Sequence, residues 1–252
     1  MGLLKIGLAE TLALSYIWGM ATFTELQDRV SRRVIDLPAA VLAEVPDLVN
    51  EALREIQERH NFKVMEAVSA QYITVDAVRN LAVVPTDFKE WRGKPYLSYF
   101  AGGTKELMIG PNAQQVLRRL EPEDTGYPMI LKDGEPVDED GTRYFEVWPL
   151  SDVNSDWADG EYRVTVPYWR YLDPLVATGD TNWFTNKAPL YLIYKAVSEA
   201  FAIDWDEERM AVWNQKAELQ YNKIVLVDKK FRLSNVTAFV PHRRVLDVLS
   251  EE

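Results

Sequence analysis

Two kinds of sequence pattern alternate along this chain of 252 residues, and their order constrains the fold more than any single motif does. An amphipathic helical pattern at residues 45–62 is followed by a long strand-rich stretch that ends near residue 171, and the helical period returns from residue 188 onward. Segments far apart in the chain can bury their apolar faces together, so this order predicts an α+β fold. We expect a helical bundle from both chain ends, an inserted small β-sandwich or barrel domain, and an extended C-terminal arm.

The helical segments carry start signals. Thr22 followed by Glu25 predicts a capping box at the first helix, and Pro46 suits the first turn of the next. Asp204 or Asp206 is the candidate N-cap of the last helix.

The middle of the chain shows short β-rich runs separated by glycine and proline turns. Turns are predicted at Asp133-Gly134 and Asp140-Gly141, and a short helix at residues 111–120. Seven strands are predicted, at residues 67–75, 80–84, 97–100, 106–109, 128–132, 143–148 and 162–169. Strands this short and this frequent are typical of a small sandwich or a partly open barrel.

These patterns divide the chain into four parts. Residues 1–21 form a leader or arm, residues 22–62 with 186–230 form the helical body, and residues 63–185 form the inserted β domain. Residues 231–252 form the extended C-terminal arm, because their scattered apolar residues are too few to make a core.

The leader has an apolar run at residues 12–18, which is far below the roughly 20 residues of a membrane span. A signal peptide is disfavoured, because Lys5 is the only positive charge and Trp18-Gly19 is a poor cleavage site. Two readings stay open: translation starts at Met20, or the leader is an arm that docks on a neighbour.

Composition excludes several classes of function. The chain has no cysteine, so disulfides, thiolate metal sites and a cysteine nucleophile are ruled out. Its net charge of -11 opposes adhesion to phosphate backbones, and the sequence shows only isolated basic dipeptides. The two histidines, His60 and His242, lack the spacing of a metal site or a catalytic triad. We therefore expect no enzymatic activity, no cofactor and no metal.

Clustered aromatic residues support an alternative function. The cluster comprises Trp148, Trp157, Tyr168, Trp169, Tyr171 and Trp183. Such rings can form a platform for sugars, which would make the chain a carbohydrate-binding or other recognition module of a virion or extracellular protein. An aromatic-rich core and interface is the commoner outcome for such residues.

Short segments spread along the chain resemble one known family. They are LVNEAL at residues 48–53, VVPTDF at 83–88, FEVWPLSD at 145–152, YWRYLDPLVATGDTNWF at 168–184 and APLYLIYKAVSEAF at 188–201. In this order they resemble the head-to-tail adaptor (head completion, connector) proteins of tailed bacteriophages, over roughly residues 22–227.

The resemblance implies a structural virion protein of the neck, assembled in the host cytoplasm. It implies a ring of twelve subunits that joins the portal protein to the tail nozzle or tail tube protein. Duplex DNA would pass through the ring without specific binding, no membrane is involved, and tail fibres are a further candidate partner.

Two sets of residues follow as candidate interaction sites. The arm that would reach the portal contributes Phe231, Val236, Phe239, Val240, His242, Arg243 and Arg244. The loop before the returning helices carries the D-T-N element of the resemblance, and its predicted tail-facing residues are Asp173, Asp180, Asn182 and Trp183.

Overall fold

The computed structural model describes residues 21–75, 80–99, 103–117, 129–137, 141–149 and 162–236. The helices, in chain order, are α1 (Phe23–Ser31), α2 (Ala39–Ala43), α3 (Val45–Arg59), α4 (Pro111–Leu117), α5 (Trp183–Lys187), α6 (Pro189–Ile203) and α7 (Glu207–Val236). The strands are β1 (Glu66–Tyr72), β2 (Thr74–Val75), β3 (Asn80–Val83), β4 (Phe88–Trp91), β5 (Tyr96–Tyr99), β6 (Thr104–Glu106), β7 (Ile130–Val137), β8 (Arg143–Trp148) and β9 (Tyr162–Arg170). The predicted α+β class is confirmed.

The chain forms two compact units. One, the helical unit, contains the residues up to Val64 and those from Asp173 onward, and the other, the β unit, runs from Met65 to Leu172. The sequence placed residues 173–185 with the β domain, but the structure places them in the helical unit. The reason is that the segment hydrogen-bonds to α1 and α3, as described below. The predicted sandwich or barrel geometry stays a prediction.

The core of the helical unit is α6, which contacts α1, α3 and α7. Its buried residues are Tyr191, Leu192, Ile193, Ala196, Val197, Ser198, Ala200 and Phe201, which lie on more than one face of the helix. Burying a large apolar side chain stabilises a fold by about 1.5–3 kcal/mol. α1 and α3 are amphipathic and turn their apolar stripes inward, and α7 packs its buried Ala217 and Ile224 on the unit, so α6 holds the unit together.

Side-chain caps fix where the outer helices begin. The Thr22 hydroxyl accepts from the backbone N–H of Glu25, and the Glu25 carboxylate accepts from the N–H of Thr22, which confirms the predicted capping box. At α7 the cap is Asp206, whose carboxylate accepts from the N–H of Arg209 at 3.0 Å. Asp204 instead ends α6.

The turn between α6 and α7 has an unusual residue at its centre. The N–H of Trp205 donates to the carbonyl of Ala202 at 3.2 Å, and the N–H of Asp206 donates to the carbonyl of Phe201 at 3.0 Å. This double hydrogen bond ends a helix in a Schellman motif, whose left-handed position is usually glycine. Here Trp205 occupies it with a φ of 59°, at a cost of roughly 1–2 kcal/mol for an L-residue.

Two polar contacts join α3 to α7. The Arg59 guanidinium donates to both oxygens of Glu218, at 2.6 and 2.8 Å, and lies 3.9 Å from the centre of the Tyr221 ring. The hydrogen bonds from Arg59 lower the pKa of Glu218. About three turns further along α7, Asp228 is 2% exposed and accepts from the backbone N–H of Lys63 at 2.8 Å.

Asp228 also contacts two side chains. Arg232 Nε donates to it at 2.8 Å, and His60 Nε2 lies 3.2 Å from the same carboxylate oxygen. Arg232 in turn donates to the carbonyl of Asn61. The carboxylate therefore fixes the chain where it leaves α3, which a buried apolar residue could not do.

The β unit contains two antiparallel sheets. In the five-stranded sheet, β9 is the longest strand and pairs with three others. β1 pairs with it from Glu66 opposite Trp169 to Tyr72 opposite Arg163. On the other edge of β9, β5 pairs with residues 162–165 and β4 with residues 168–170. The four-stranded sheet has the order β2-β3-β8-β7.

A proline inside β9 is tolerated because of this shared edge. Pro167 has no N–H, and its carbonyl accepts from the N–H of Arg92 at 3.2 Å, in the stretch between β4 and β5. The N–H and carbonyl of one strand residue face the same edge of that strand. The N–H that Pro167 lacks would therefore face the gap between β4 and β5, where neither strand pairs with β9.

Residues from both sheets pack into one core of the β unit. Phe145 of β8 contacts Phe88 and Trp91 of β4, with ring centroids 5.4 and 4.9 Å apart, and Phe88 stacks on Tyr168 at 5.6 Å. Burial and a hydrogen bond to Asp87 raise the pKa of Tyr168 to about 12. Tyr168 and Trp169 are buried, so these two rings of the proposed sugar platform belong to the core. Trp157 lies outside the described residues.

Several predicted element boundaries were wrong. The structure adds α2 and β4, and β7 runs through the predicted Asp133-Gly134 turn with a register shift beyond Asp133. α7 continues to Val236, so residues 231–236 are helical and not part of an extended arm, because the Arg232 bond to Asp228 spans that turn. The leader, residues 237–252 and Asp140 lie outside the described residues.

The Asp228 contacts generate a prediction about stability. Asp228→Ala removes the acceptor of three donors and leaves the Lys63 N–H without its partner. We expect it to lower the free energy of unfolding by about 2–4 kcal/mol, measured by urea denaturation. Lys229→Ala, at the exposed next position of α7, is the control and should change it by less than about 0.5 kcal/mol. Equal effects of the two substitutions would contradict a structural role for Asp228.

Candidate functional site

The loop between β9 and α5 is shaped by a single carboxylate. Asp180 accepts from the backbone N–H groups of Val176 and Ala177, both at 2.7 Å. These two hydrogen bonds lower the pKa of Asp180. The charged side chain thus reinforces a turn that the N–H of Asp180 also closes, by donating to the carbonyl of Ala177 at 2.9 Å.

The same loop is fastened to two helices. The Asn50 amide of α3 donates to the carbonyl of Leu175 at 2.9 Å and accepts from its N–H at 2.8 Å. At α1, the N–H of Phe23 donates to the carbonyl of Asp180, and the N–H and hydroxyl of Thr24 donate to that of Thr178. Loop carbonyls therefore satisfy N–H groups of the first turn of α1, which a helix leaves without partners.

The end of the loop is held by α5. Asn182 is the N-cap of α5 and accepts from the N–H groups of Phe184 and Thr185, at 2.9 and 3.0 Å. The half-buried Trp183 ring packs against Phe62 and Phe184, with centroids 5.6 and 5.1 Å away. The loop is thus fixed at both ends.

The predicted tail-facing residues have different surroundings in the structure. Asp173 is exposed, but Asp180 and Asn182 use their side chains within the loop, and Trp183 packs inward. The residue offered to solvent is Val176, which is 79% exposed. Val176 was not predicted as a contact residue. That prediction rested on polar and aromatic residues, and an apolar residue at a turn is neither.

The predicted portal-binding residues are only partly described. Phe231 lies on the last turns of α7 and is half exposed, and Val236 is the final residue of that helix. Phe239, Val240, His242, Arg243 and Arg244 lie outside the described residues. Phe231 therefore stands on a rigid helix rather than on an extended segment.

A second surface on α7 was missed by the sequence analysis. Seven residues advance a helix by about two turns, so side chains at this spacing lie along one stripe. This surface, the α7 outer face, consists of Val212, Lys216, Leu219, Lys223, Leu226 and Lys230. It lies opposite the buried Ala217 and Ile224. The signal was a seven-residue repeat of both apolar and basic residues, not the adjacent basic pairs that were searched for.

The α7 outer face is basic although the chain is acidic. Between residues 212 and 230, α7 has two carboxylates, Glu218 and Asp228. The first binds Arg59, and the second is buried among His60, Lys63 and Arg232. Both acids are therefore turned away from the outer face, and its lysines are left to set the local charge.

The described residues offer no catalytic arrangement. No group of three or more histidine or acidic side chains that could hold a metal is found among them. His60 packs edge-on against Phe62 at 4.6 Å and faces the buried Asp228, which is a structural position at the end of α3. In the part of the chain that the structure describes, no helix has the length and apolar character needed to cross a membrane.

Comparison with known proteins identifies a family. A search of curated proteins finds no match. The family model described as SU10 adaptor protein matches residues 21–239, which include all of α1 to α7 and β1 to β9. Because the match spans most of the chain and both compact units, the chain belongs to the SU10 adaptor protein family, a family of phage head-to-tail adaptors.

Proposed function

We propose that the chain forms a ring between the portal and the tail nozzle of a tailed bacteriophage, and that the ring lines part of the DNA channel. The family match over residues 21–239 carries this proposal. Family membership itself gives the coarser role, a structural adaptor of the virion neck that associates with portal and tail proteins. Assembly takes place in the host cytoplasm, and the ring has twelve subunits by resemblance to related adaptors.

Ring formation requires two different complementary surfaces on each subunit, because a closed ring repeats a head-to-tail contact. Each subunit must therefore keep its surfaces at a fixed relative position. The helical unit meets this requirement, since α6 is buried among α1, α3 and α7 and the Asn50, Asp180 and Asp228 contacts fix the loop and the helix ends.

The two ends of the ring differ in the residues they offer. The C-terminal segment from Phe231 to Arg244 reaches the portal, where its apolar residues enter a groove and Arg243 and Arg244 meet acids at the rim. The loop that carries Asp173, Asp180, Asn182 and Trp183 faces the tail. Its exposed Val176 supports this, because an apolar residue held at a rigid turn suits a protein contact.

The experiment that tests the proposal is assembly on purified portal. We expect the isolated chain to associate only weakly with itself and to form rings when portal is added, because the portal holds the subunits at high local concentration. Native mass spectrometry of the mixture gives the number of bound copies. A chain that stays monomeric with portal present would overturn the proposed function.

The arm assignment generates its own prediction. Deleting residues 237–252 leaves α7 complete, so we expect the thermal unfolding midpoint to stay within about 2 °C of the wild type and portal attachment to be lost. Co-sedimentation with portal measures attachment, and Val176→Ser is a matched surface control that should attach normally. If the truncated chain still attaches, the arm does not bind the portal.

The charge of the chain generates a prediction about DNA. Twelve copies with a net charge of -11 each carry a total charge of -132. The electric field of this charge acts within a Debye length of about 8 Å at physiological salt. We therefore expect the wild-type chain to bind free duplex DNA poorly at physiological salt, which a salt titration of binding measures. Tight binding that weakens steeply with added salt would instead show a surface that grips DNA.

A further inference from the structure

The turn between α6 and α7 exposes an aromatic residue that the fold does not use. Trp205 is 88% exposed and occupies a left-handed position where glycine fits better. Its side chain thus adds little burial, while its backbone is in an unfavourable conformation. Tryptophan is strongly enriched among the residues that dominate protein interfaces.

Two more exposed apolar residues lie at the same end of the helical unit. Ile203 ends α6 and is 41% exposed, and Ile35 is 76% exposed. The Arg209 guanidinium binds both Asp36 and Asp206, the residues that directly follow Ile35 and Trp205. This bridge brings the two segments together. We call Ile35, Ile203 and Trp205 the tip.

Acidic residues surround the tip. Asp36, Asp204, Glu207 and Glu208 are all exposed there. The basic residues of the two segments are Arg32, Arg33 and Arg209. Arg33 donates to the carbonyl of Arg29, and Arg209 pairs with Asp36 and Asp206. The tip is therefore apolar with an acidic rim. The α7 outer face is its counterpart, because Leu219 and Leu226 are more than half exposed and lie beside Lys216, Lys223 and Lys230.

We propose that the tip of one subunit docks on the α7 outer face of a second copy of this chain. A rigid helix cannot bring its own beginning onto its own middle, so the partner must be another molecule. The contact is head-to-tail, the type that a ring needs, and to that extent it rests on the proposed function. It specifies which two surfaces meet.

Complementarity decides between this partner and DNA. Lysines seven residues apart are spaced by about 10.5 Å along a helix and can contact phosphates. Phosphate contacts do not use exposed leucines, however, and the α7 outer face alternates Lys216 and Lys223 with Leu219 and Leu226. An acidic rim can pair with the lysines, and an apolar centre can pack against the leucines. The tip has both.

The test uses one variant for each surface of the full chain. Trp205→Gly removes the anchor and places glycine where the backbone has a φ of 59°, so the fold should be kept or improved. Leu219→Glu puts a carboxylate opposite the acidic tip, at an exposed position where glutamate suits a helix. Val68→Thr, at an exposed apolar position of β1, is the control. Circular dichroism melts verify folding.

Sedimentation velocity over a range of concentrations measures self-association, and native mass spectrometry counts copies on portal. We expect each surface variant to weaken self-association at least tenfold and to leave rings incomplete, while Val68→Thr behaves as wild type. Mixing the two variants should give dimers and nothing larger, because the intact tip of one can dock on the intact α7 face of the other. A symmetric interface would limit the wild type itself to dimers, whereas a head-to-tail contact lets the wild type form larger assemblies.

Opposite results overturn the inference. If Trp205→Gly and Leu219→Glu assemble on portal as the wild type does, the interface is wrong and the proposed function stands. If the wild type joins neither itself nor portal, the proposed function fails and the interface with it. If Lys223→Glu reduces duplex DNA binding while Leu219→Glu leaves assembly intact, the α7 outer face binds nucleic acid instead.

Discussion

The helical unit depends on burying α6 on more than one side. Its buried residues lie on more than one face, so α1, α3 and α7 must cover it. Each of those helices then has one face inside and one outside, and the composition of the outer faces is free to vary without cost to the core. This separation lets α7 combine an inner face that packs on α6 with an outer face of leucines and lysines. The surfaces that contact partners therefore follow from the burial of one helix.

Apolar burial alone would not fix how these elements are placed, because hydrophobic contact is not directional. Polar groups do this where the chain enters and leaves helices. Asn50 holds Leu175 by both its N–H and its carbonyl, and Asp228 holds the N–H of Lys63. Buried charges are weak contributors to net stability, but they reject alternative placements that would leave them unpaired. The proposed ring needs such fixed geometry, because an error in one subunit would repeat around the whole assembly.

The sequence predicted what depends on local pattern and missed what depends on distant partners. The Thr22 capping box, the Asp206 cap and the main helices follow from neighbouring residues and are confirmed. β4 has four residues and is a strand because β9 is long enough to pair with it beyond β5. The end of α7 was missed because residues from 231 onward were judged by their apolar burial, whereas Arg232 continues the helix through a bond to Asp228. Similarly, Asp180 and Asn182 were predicted as contacts, but their partners are backbone groups of their own loop.

Net charge is a poor guide to the local surface of this chain, and this matters for the proposed lining of a DNA channel. The excess of carboxylates gives the chain a net charge of -11. The two acids of α7 between residues 212 and 230 nevertheless bind groups in and just after α3, so the lysines of α7 face outward. A free subunit therefore carries a basic stripe that attracts phosphates. If that stripe is covered by the acidic rim of a neighbouring tip, its charge is neutralised inside the ring, and the remaining excess is negative. Assembly would then cover this basic stripe, so the proposed ring would repel DNA more uniformly than its free subunits do.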